Sequence, residues 1–284
     1  MTNLKPQFSL IFLKSISWLT PLWLFCFFIL PLLYVFVLSF LTKGTYGGVE
    51  WSFSLRAYER ALNWQYAEVF LRTLVMAGIT AFLCTVLGAW CAWYVVSRKP
   101  EVRGQTLILF VLPFLLSSLI RLYSLQNFVG VEGPVQTLIR VISPAYQSLA
   151  WTHNATLMYL GLILTYLPFT ILPLTAAFEK WDPQYFEAAQ DLGAGLWQSA
   201  RDVVWPLTRE SLVTSFMIVF IPCLGEYLAP EILGGSQKLY GGQLIAEAYL
   251  KWRDWPQGSV LGIILIGILV LLFSLEKLKR KVHP

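Results

Sequence analysis

Two ionisable side chains, Glu226 and Arg121, stand inside apolar stretches of the chain. A charge in hydrocarbon is costly and is kept where it pairs, faces a water-filled path or relays an ion. Glu226 lies 16 residues beyond Glu210 and Arg121 lies 17 residues beyond Gly104. At 1.5 Å of rise per residue these are depths of roughly 24 and 26 Å. Two helices running outward would bring the charges to nearly the same level. One reading is an ion pair between Arg121 and Glu226 that holds two helices together. The other is that Glu226 lines a path and attracts a cation. The two are compatible, because a paired carboxylate can exchange partners when a path opens. Glu226 belongs to the run Gly225-Glu226-Tyr227-Leu228-Ala229-Pro230-Glu231-Ile232-Leu233-Gly234-Gly235, with Pro222 just before it. A helix broken at membrane depth is tolerated chiefly where it lines a cavity or packs within protein. Tyr227 and Glu231 are therefore candidates for the same path. Further on, Trp252-Arg253-Asp254-Trp255-Pro256 sets a carboxylate between indoles. Asp254 and Trp255 can hold an ammonium group by charge and cation–π attraction. Tryptophans in such places also serve as anchors at the membrane interface.

Other chemistries find little support. Cys26, Cys84, Cys91 and Cys223 all sit in apolar stretches without the paired spacing of a metal site. The two histidines, His153 and His283, cannot build a cluster. No Gly-x-x-x-x-Gly-Lys-Ser/Thr run is present, so a phosphate loop for ATP is not expected in this chain. No catalytic residues, metal or cofactor are expected here.

A third feature is polar where its surroundings are apolar: the stretch 182–207. Asp182 suits a helix N-cap and Pro183 the first helical position. The helix can continue through Glu187, Ala188, Ala189 and Asp191 to Leu192. Gly193 can close it in the left-handed conformation. A second short helix follows, with Trp197, Ala200 or Arg201, and Val204 on one face, until Pro206 interrupts it. Two short helices meeting at a glycine make a knob that a partner can approach closely.

The elements that must position these residues are membrane spans. The chain has 284 residues, 57% hydrophobic and only 13% charged. Soluble domains carry roughly 25% charged residues. The net charge of +5 follows membrane ends rather than a nucleic-acid surface. Six segments meet the roughly 20-residue requirement of a bilayer. They are 15–41, 69–96, 105–125, 156–177, 211–232 and 258–275, with the polar loop at 178–210. The first is too long for a signal core and lacks a small-residue cleavage site, so it is expected to stay as an anchor. Pro21 and Pro31 are expected to start and bend it. Short outer helices are expected at 54–63 and 134–142, and the glycine pairs Gly47-Gly48, Gly234-Gly235 and Gly241-Gly242 mark outer loops. The expected architecture is an all-α integral membrane protein, a single transmembrane domain over 1–284. Arg98, Lys99 and Arg103, with Lys277, Lys279, Arg280 and Lys281, form short basic runs at membrane ends. Lys5, Lys14, Lys180, Arg201 and Arg209 fall on the same side. That side is cytoplasmic by the positive-inside rule, as are both termini and the polar loop.

Glu187, Ala188, Ala189, Gly193 and Pro206 match the coupling motif of ABC-importer permeases: Glu-Ala-Ala, three residues, Gly, nine residues, Ile-x-Leu-Pro. Val203 replaces the isoleucine and Trp205 the leucine, which is a departure. Ser118-Leu119-Ile120-Arg121-Leu122-Tyr123, the Gly225–Gly235 run and Arg253-Asp254-Trp255-Pro256 look like the spermidine/putrescine importer permeases. So does Glu187-Ala188-Ala189-Gln190-Asp191-Leu192-Gly193-Ala194. These motifs cover about half of the chain; the first two spans match only in number and placement. The resemblance implies a type I ABC importer permease in a bacterial inner membrane. It implies a cytoplasmic ATPase dimer that binds ATP and Mg, and a second, related permease subunit. It also implies a periplasmic or extracellular solute-binding protein, a polyamine substrate and alternating access. The same machine could import another small solute. A secondary transporter would need midplane coupling carboxylates or inverted repeats, which are not evident, and would leave the knob unexplained.

Overall fold

The computed structural model describes residues 19, 21–143, 154–180, 184–235 and 238–282, with backbone alone at Phe186, Glu187, Leu196, Ala200 and 275–282. Lys5, Lys14, His153, Asp182, Pro183 and His283, named above, lie outside the described residues. Helices dominate: among the described residues five are long and apolar enough to span a membrane, and a bent pair makes up to six if it is counted as one span. The chain falls into two compact units, one of residues 1–66 with 245–284, the other of residues 67–244.

In the first unit, α1 (Pro21–Leu38) ends before the 41 read from hydropathy, and residues 15–18 and 20 of that expected span lie outside the described residues. A π turn at Phe25–Ile29 precedes Pro31. It contains Phe27, whose carbonyl the proline ring would crowd in a regular helix, and the wider turn relieves that clash. Leu41 belongs instead to a β-hairpin, β1 (Leu41–Lys43) against β2 (Val49–Phe53), antiparallel. Hydropathy missed this element. Gly47, at φ 90°, and Gly48, at φ 80°, make its turn possible. Phe40 stacks on Phe53 with ring centroids 5.8 Å apart. Helix α2 (Arg56–Ala61) falls within the 54–63 segment. Its Tyr58 hydroxyl meets Ser39 Oγ at 2.8 Å.

The second unit is built around a long helix and a set of breaks. Helix α3 (Trp64–Val96) runs 33 residues without proline, beginning five residues earlier than expected. The third segment is not one straight helix. Helix α4 (Pro100–Leu115) is followed by α5 (Ser118–Val129), and the stretch Ser118–Ile142 turns away from α4 by 84°. Pro113 has no N–H for a regular turn, so residues Leu112–Leu115 tighten to a 3₁₀ turn and Leu116 becomes extended at ψ 148°. The depth estimated for Arg121 along a continuous rod therefore does not apply. Helix α6 occupies Pro134–Ile142 as expected.

Helix α7 (Ala155–Phe178) carries Pro168 and Pro173 in its interior. It packs on α4 and α5 and on two later helices. Small residues admit α3 closely: a Cβ on Gly88 would lie 2.8 Å from Thr170 Cβ. The short helix α8 (Gln184–Asp191) follows, then α9 (Leu196–Ser199), a π turn at Ala200–Val204, and α10 (Trp205–Leu224). Pro206 was expected to interrupt the second short helix. It does not: Trp197–Leu224 is one continuous helix. The π turn contains Asp202, the residue whose carbonyl Pro206 would crowd, as in α1. The fifth segment stops at Leu224, resumes as α11 (Leu228–Leu233), and is followed by α12 (Gly241–Leu250). Helix α13 (Trp255–Val282) returns to the first unit and packs there on α1 and α2.

Candidate functional site

The break between α10 and α11 concentrates polar contacts. Pro222 removes a helical N–H, Gly225 closes α10, and Glu226 follows immediately. Glu226 Oε2 accepts a hydrogen bond from the Tyr166 hydroxyl at 2.7 Å. Its Oε1 accepts from Leu228 N at 2.9 Å, which satisfies a free donor at the start of α11. The carboxylate is half-buried, and Tyr227 beside it is 42% exposed. Gln243 Nε2 donates to Glu231 Oε2 at 2.8 Å, and Gln243 Oε1 accepts from Tyr240 N at 3.3 Å. Gly241 N donates to Thr73 Oγ1 at 2.7 Å. A Cβ on Gly242 would meet the Glu226 and Gly225 carbonyl oxygens at 2.5 and 2.6 Å, so only glycine fits there. Burial pushes the Tyr240 phenol above its ordinary range, against the lowering pull of Arg72. The break thus gathers Glu226, Tyr227 and Glu231 with Tyr166, Thr73 and Gln243. The last three were not picked out from sequence, since each is an ordinary polar residue in its own segment. Chemically, the cluster is an acidic hydrogen-bonded surface suited to a cation.

The proposed Arg121–Glu226 ion pair is not formed. Arg121 Nη1 donates instead to the Leu164 carbonyl at 2.9 Å. Pro168 explains this choice, because it lacks the N–H that would bond that carbonyl four residues earlier. Both side chains in the expected pair complete helix backbones rather than each other.

Asp254 and Trp255 belong to the other unit and serve its framework. Asp254 is 5% exposed, and its Oδ2 holds Arg60 Nη1 at 3.0 Å. Its Oδ1 accepts from Gln257 N at 3.1 Å, an N-cap for α13. Arg253 precedes it at φ 48°, and Gly48 N donates to the Arg253 carbonyl at 2.9 Å. A Cβ on Gly47 would lie 2.8 Å from Arg253 Cβ. The aspartate is therefore a clasp between the hairpin turn, α2 and α13, and its charge is already spent. Trp255 is 38% exposed at the first turn of α13.

The knob closes as its sequence requires. Gly193 has φ 88°, its N donates to Gln190 O at 2.8 Å, and Ala194 N donates to Ala189 O at 3.0 Å. These two bonds form a Schellman stop. Ala188 and Asp191 are exposed and Ala189 is half-buried; the Glu187 side chain lies outside the described atoms. Leu192 is 90% and Trp197 83% exposed. Leu192 was not among the residues singled out from sequence, although an apolar residue exposed on a polar loop is itself an unusual feature. A cleft of about 470 Å³ lies beside the knob, lined by Ala176, Ala177, Lys180, Tyr185, Leu207 and Thr208 among others. Pro206 is exposed at the start of α10.

Residues 84–276 match the family described as the binding-protein-dependent transport system inner membrane component. The spermidine/putrescine transport system permease protein PotB of Haemophilus influenzae is 33% identical over 92% of this chain and 93% of its own length. The protein of that name from Escherichia coli is 33% identical over 88% of this chain and 92% of its own. Among solved structures, a bacterial ABC transporter that imports the acidic polysaccharide alginate has a chain that superposes with a TM-score of 0.72. It covers 96% of both chains at 15% identity, a likeness of fold. The helical breaks, the knob and these matches agree, and the chain belongs to the binding-protein-dependent transport system inner membrane component family, as a multi-pass permease subunit of an importer.

Proposed function

We infer that this permease serves an ATP-driven importer of polyamines, with putrescine and spermidine as the cargo class. The observation that carries this reading is the end-to-end similarity to spermidine/putrescine permeases. The half-buried Glu226, with Glu231 nearby in the same run, supports it, because an amine cargo needs negative charge along its route. The whole chain acts as one permease domain with both termini in the cytoplasm. The knob around Ala188, Ala189, Gly193 and Leu192 docks on a cytoplasmic ATPase dimer, which binds ATP and Mg. A second, related permease completes the conduit, and a solute-binding protein delivers cargo to the outer side. ATP-driven closure of the ATPase dimer moves the knobs and, through α10, the break at Glu226, which gives alternating access.

Uptake of labelled putrescine and spermidine by cells expressing the intact importer tests the cargo. Saturable uptake that needs ATPase activity is expected. Uptake of neither amine, alongside normal assembly with an ATPase, would overturn the polyamine reading while leaving the importer reading intact. Labelling a cysteine at position 188 tests orientation. Reaction only after the membrane is opened is expected, and reaction in intact cells overturns the cytoplasmic placement.

A further inference from the structure

The turn between α3 and α4 gathers positive charge beside an apolar groove. Arg98, Lys99 and Arg103 stand there against one carboxylate, Glu101. The groove has a volume of about 570 Å³ and lies between α3 and α4, with Leu87, Trp90, Tyr94, Leu109 and Phe110 among its walls. Trp90 is 75% and Leu109 70% exposed, so the groove is open along its rim. Tyr94 joins the groove to the charges. Its ring meets Phe110 edge-on with centroids 6.2 Å apart, and the Arg98 guanidinium lies over it at 4.2 Å. Its hydroxyl accepts a hydrogen bond from Arg98 Nη2. Arg103 turns back the same way, its Nε donating to the Arg98 carbonyl at 2.9 Å. Among the described residues neither arginine has an ion pair, with Glu101 or any other carboxylate.

Two unpaired cations at the end of an apolar groove, where a membrane span stops, answer the two halves of a lipid. From Leu87 to Tyr94 the groove follows α3 for about 10 Å. One leaflet holds roughly 15 Å of hydrocarbon, half of the bilayer's, so the groove takes the first part of a single acyl chain. The span α3 ends at Val96, two residues before Arg98, which sets the guanidinium at the level of the headgroups. We propose that this groove holds one anionic phospholipid, its phosphate on Arg98 and Arg103 and one acyl chain against Trp90, Leu109 and Phe110. Arginine binds phosphate through charge-assisted, often paired hydrogen bonds. Basic pockets between membrane helices take anionic headgroups in the same way. A zwitterionic lipid fits less well, because its ammonium group opposes the two arginines. The headgroup layer already supplies phosphate at the mouth, which selects lipid over a partner helix. The bound lipid ties the α3–α4 turn to the membrane surface. This inference needs only the membrane placement of the chain and stands apart from the polyamine reading.

The test uses the intact importer, purified in detergent and loaded with phosphatidylglycerol, phosphatidylcholine or glycerol phosphate, with bound molecules counted by native mass spectrometry. Saturable retention of phosphatidylglycerol is expected. The double variant Arg98→Gln with Arg103→Gln should weaken it at this site by about thirtyfold, roughly 2 kcal/mol for two basic side chains. Trp90→Ala keeps both charges and removes a wall, and should weaken it about fivefold through lost burial of acyl chain. Phosphatidylcholine and glycerol phosphate should each bind the wild type about tenfold more weakly or worse. Equal retention of the two phospholipids by the wild type overturns the proposal. So does phosphatidylglycerol binding that neither variant changes. Glycerol phosphate binding as tightly as the whole lipid also overturns it, since the mouth is then a plain anion site. If the arginine variant melts earlier even without lipid, Trp90→Ala and the lipid comparison on the wild type still decide the matter. Loss of putrescine uptake with the lipid preference intact bears on the polyamine reading alone.

Discussion

The Tyr166 hydroxyl and the Glu226 carboxylate, sixty positions apart, meet at 2.7 Å across the broken end of α10. The bond ties the middle of α7 to the segment most suited to meet a cation. Glu226 has two tasks, since its other oxygen holds the first N–H of α11. Glu226→Gln keeps an acceptor for Leu228 and removes the charge. Uptake of labelled putrescine should fall by about tenfold or more, in line with loss of a hydrogen bond to a charged group worth roughly 1.5–3 kcal/mol. The complex should still assemble. Equal losses of uptake and assembly would mean that the carboxylate is only a brace. Tyr166→Phe, which leaves the charge in place, should reduce uptake less.

The knob offers a second test. Leu192 and Trp197 are the large apolar side chains most exposed there, at 90% and 83%. Leu192→Asp and Trp197→Ala should each weaken ATPase recovery by about 2 kcal/mol, the scale of an interface hot spot. Thermal unfolding of the permease alone should hardly change. Gly193→Val strains a backbone at φ 88° and should cost about 1–2 kcal/mol locally, visible as lost ATPase stimulation by cargo. Unchanged recovery with all three variants would remove the knob from the contact surface.

Asp254 should behave as framework. Asp254→Asn keeps an acceptor for Gln257 N and should leave uptake nearly intact at moderate temperature. Asp254→Ala loses the cap as well and should lower stability by about a further 0.5–2 kcal/mol. Melting of the purified protein in detergent checks the order. A specific loss of uptake with Asp254→Asn, at unchanged melting temperature, would return this residue to the cargo route.

Gly88 and Thr170 set how closely α3 and α7 pack. Gly88→Ala should overpack the contact and cost about 1–3 kcal/mol. Thr170→Ala, added to it, should recover part of the loss despite giving up the Thr170 bond to the Cys84 carbonyl at 2.9 Å. A double-mutant cycle on melting temperature measures the coupling. Strict additivity would mean that the helices adjust and the contact is loose.

Apolar helices, the short helix at Pro134–Ile142, and the glycine stop at Gly193 were legible because each depends on local composition or backbone freedom. The partners of Arg121 and Glu226 were not. Depth counted along rods assumes straight helices, and Pro113 and the Gly225 break remove that assumption. Pro168 decided where Arg121 went, yet a proline in another segment says nothing of which cation will reach the carbonyl it strands. Asp254 looked like a cation ligand between indoles, and only the fold showed Arg60 already beside it. The hairpin had a visible signal, alternation over Val49–Phe53 after a glycine pair, which the surrounding hydropathy masked.

Helix α3 is about 50 Å long at the helical rise, against a hydrocarbon layer of roughly 30 Å. It has no proline at which to flex, unlike α1, α7 and α10. Rocked by about five degrees around its middle, a rod of that length carries each tip roughly 2 Å in opposite directions. A small tilt at one tip of such a rod is thereby delivered undiminished to the other.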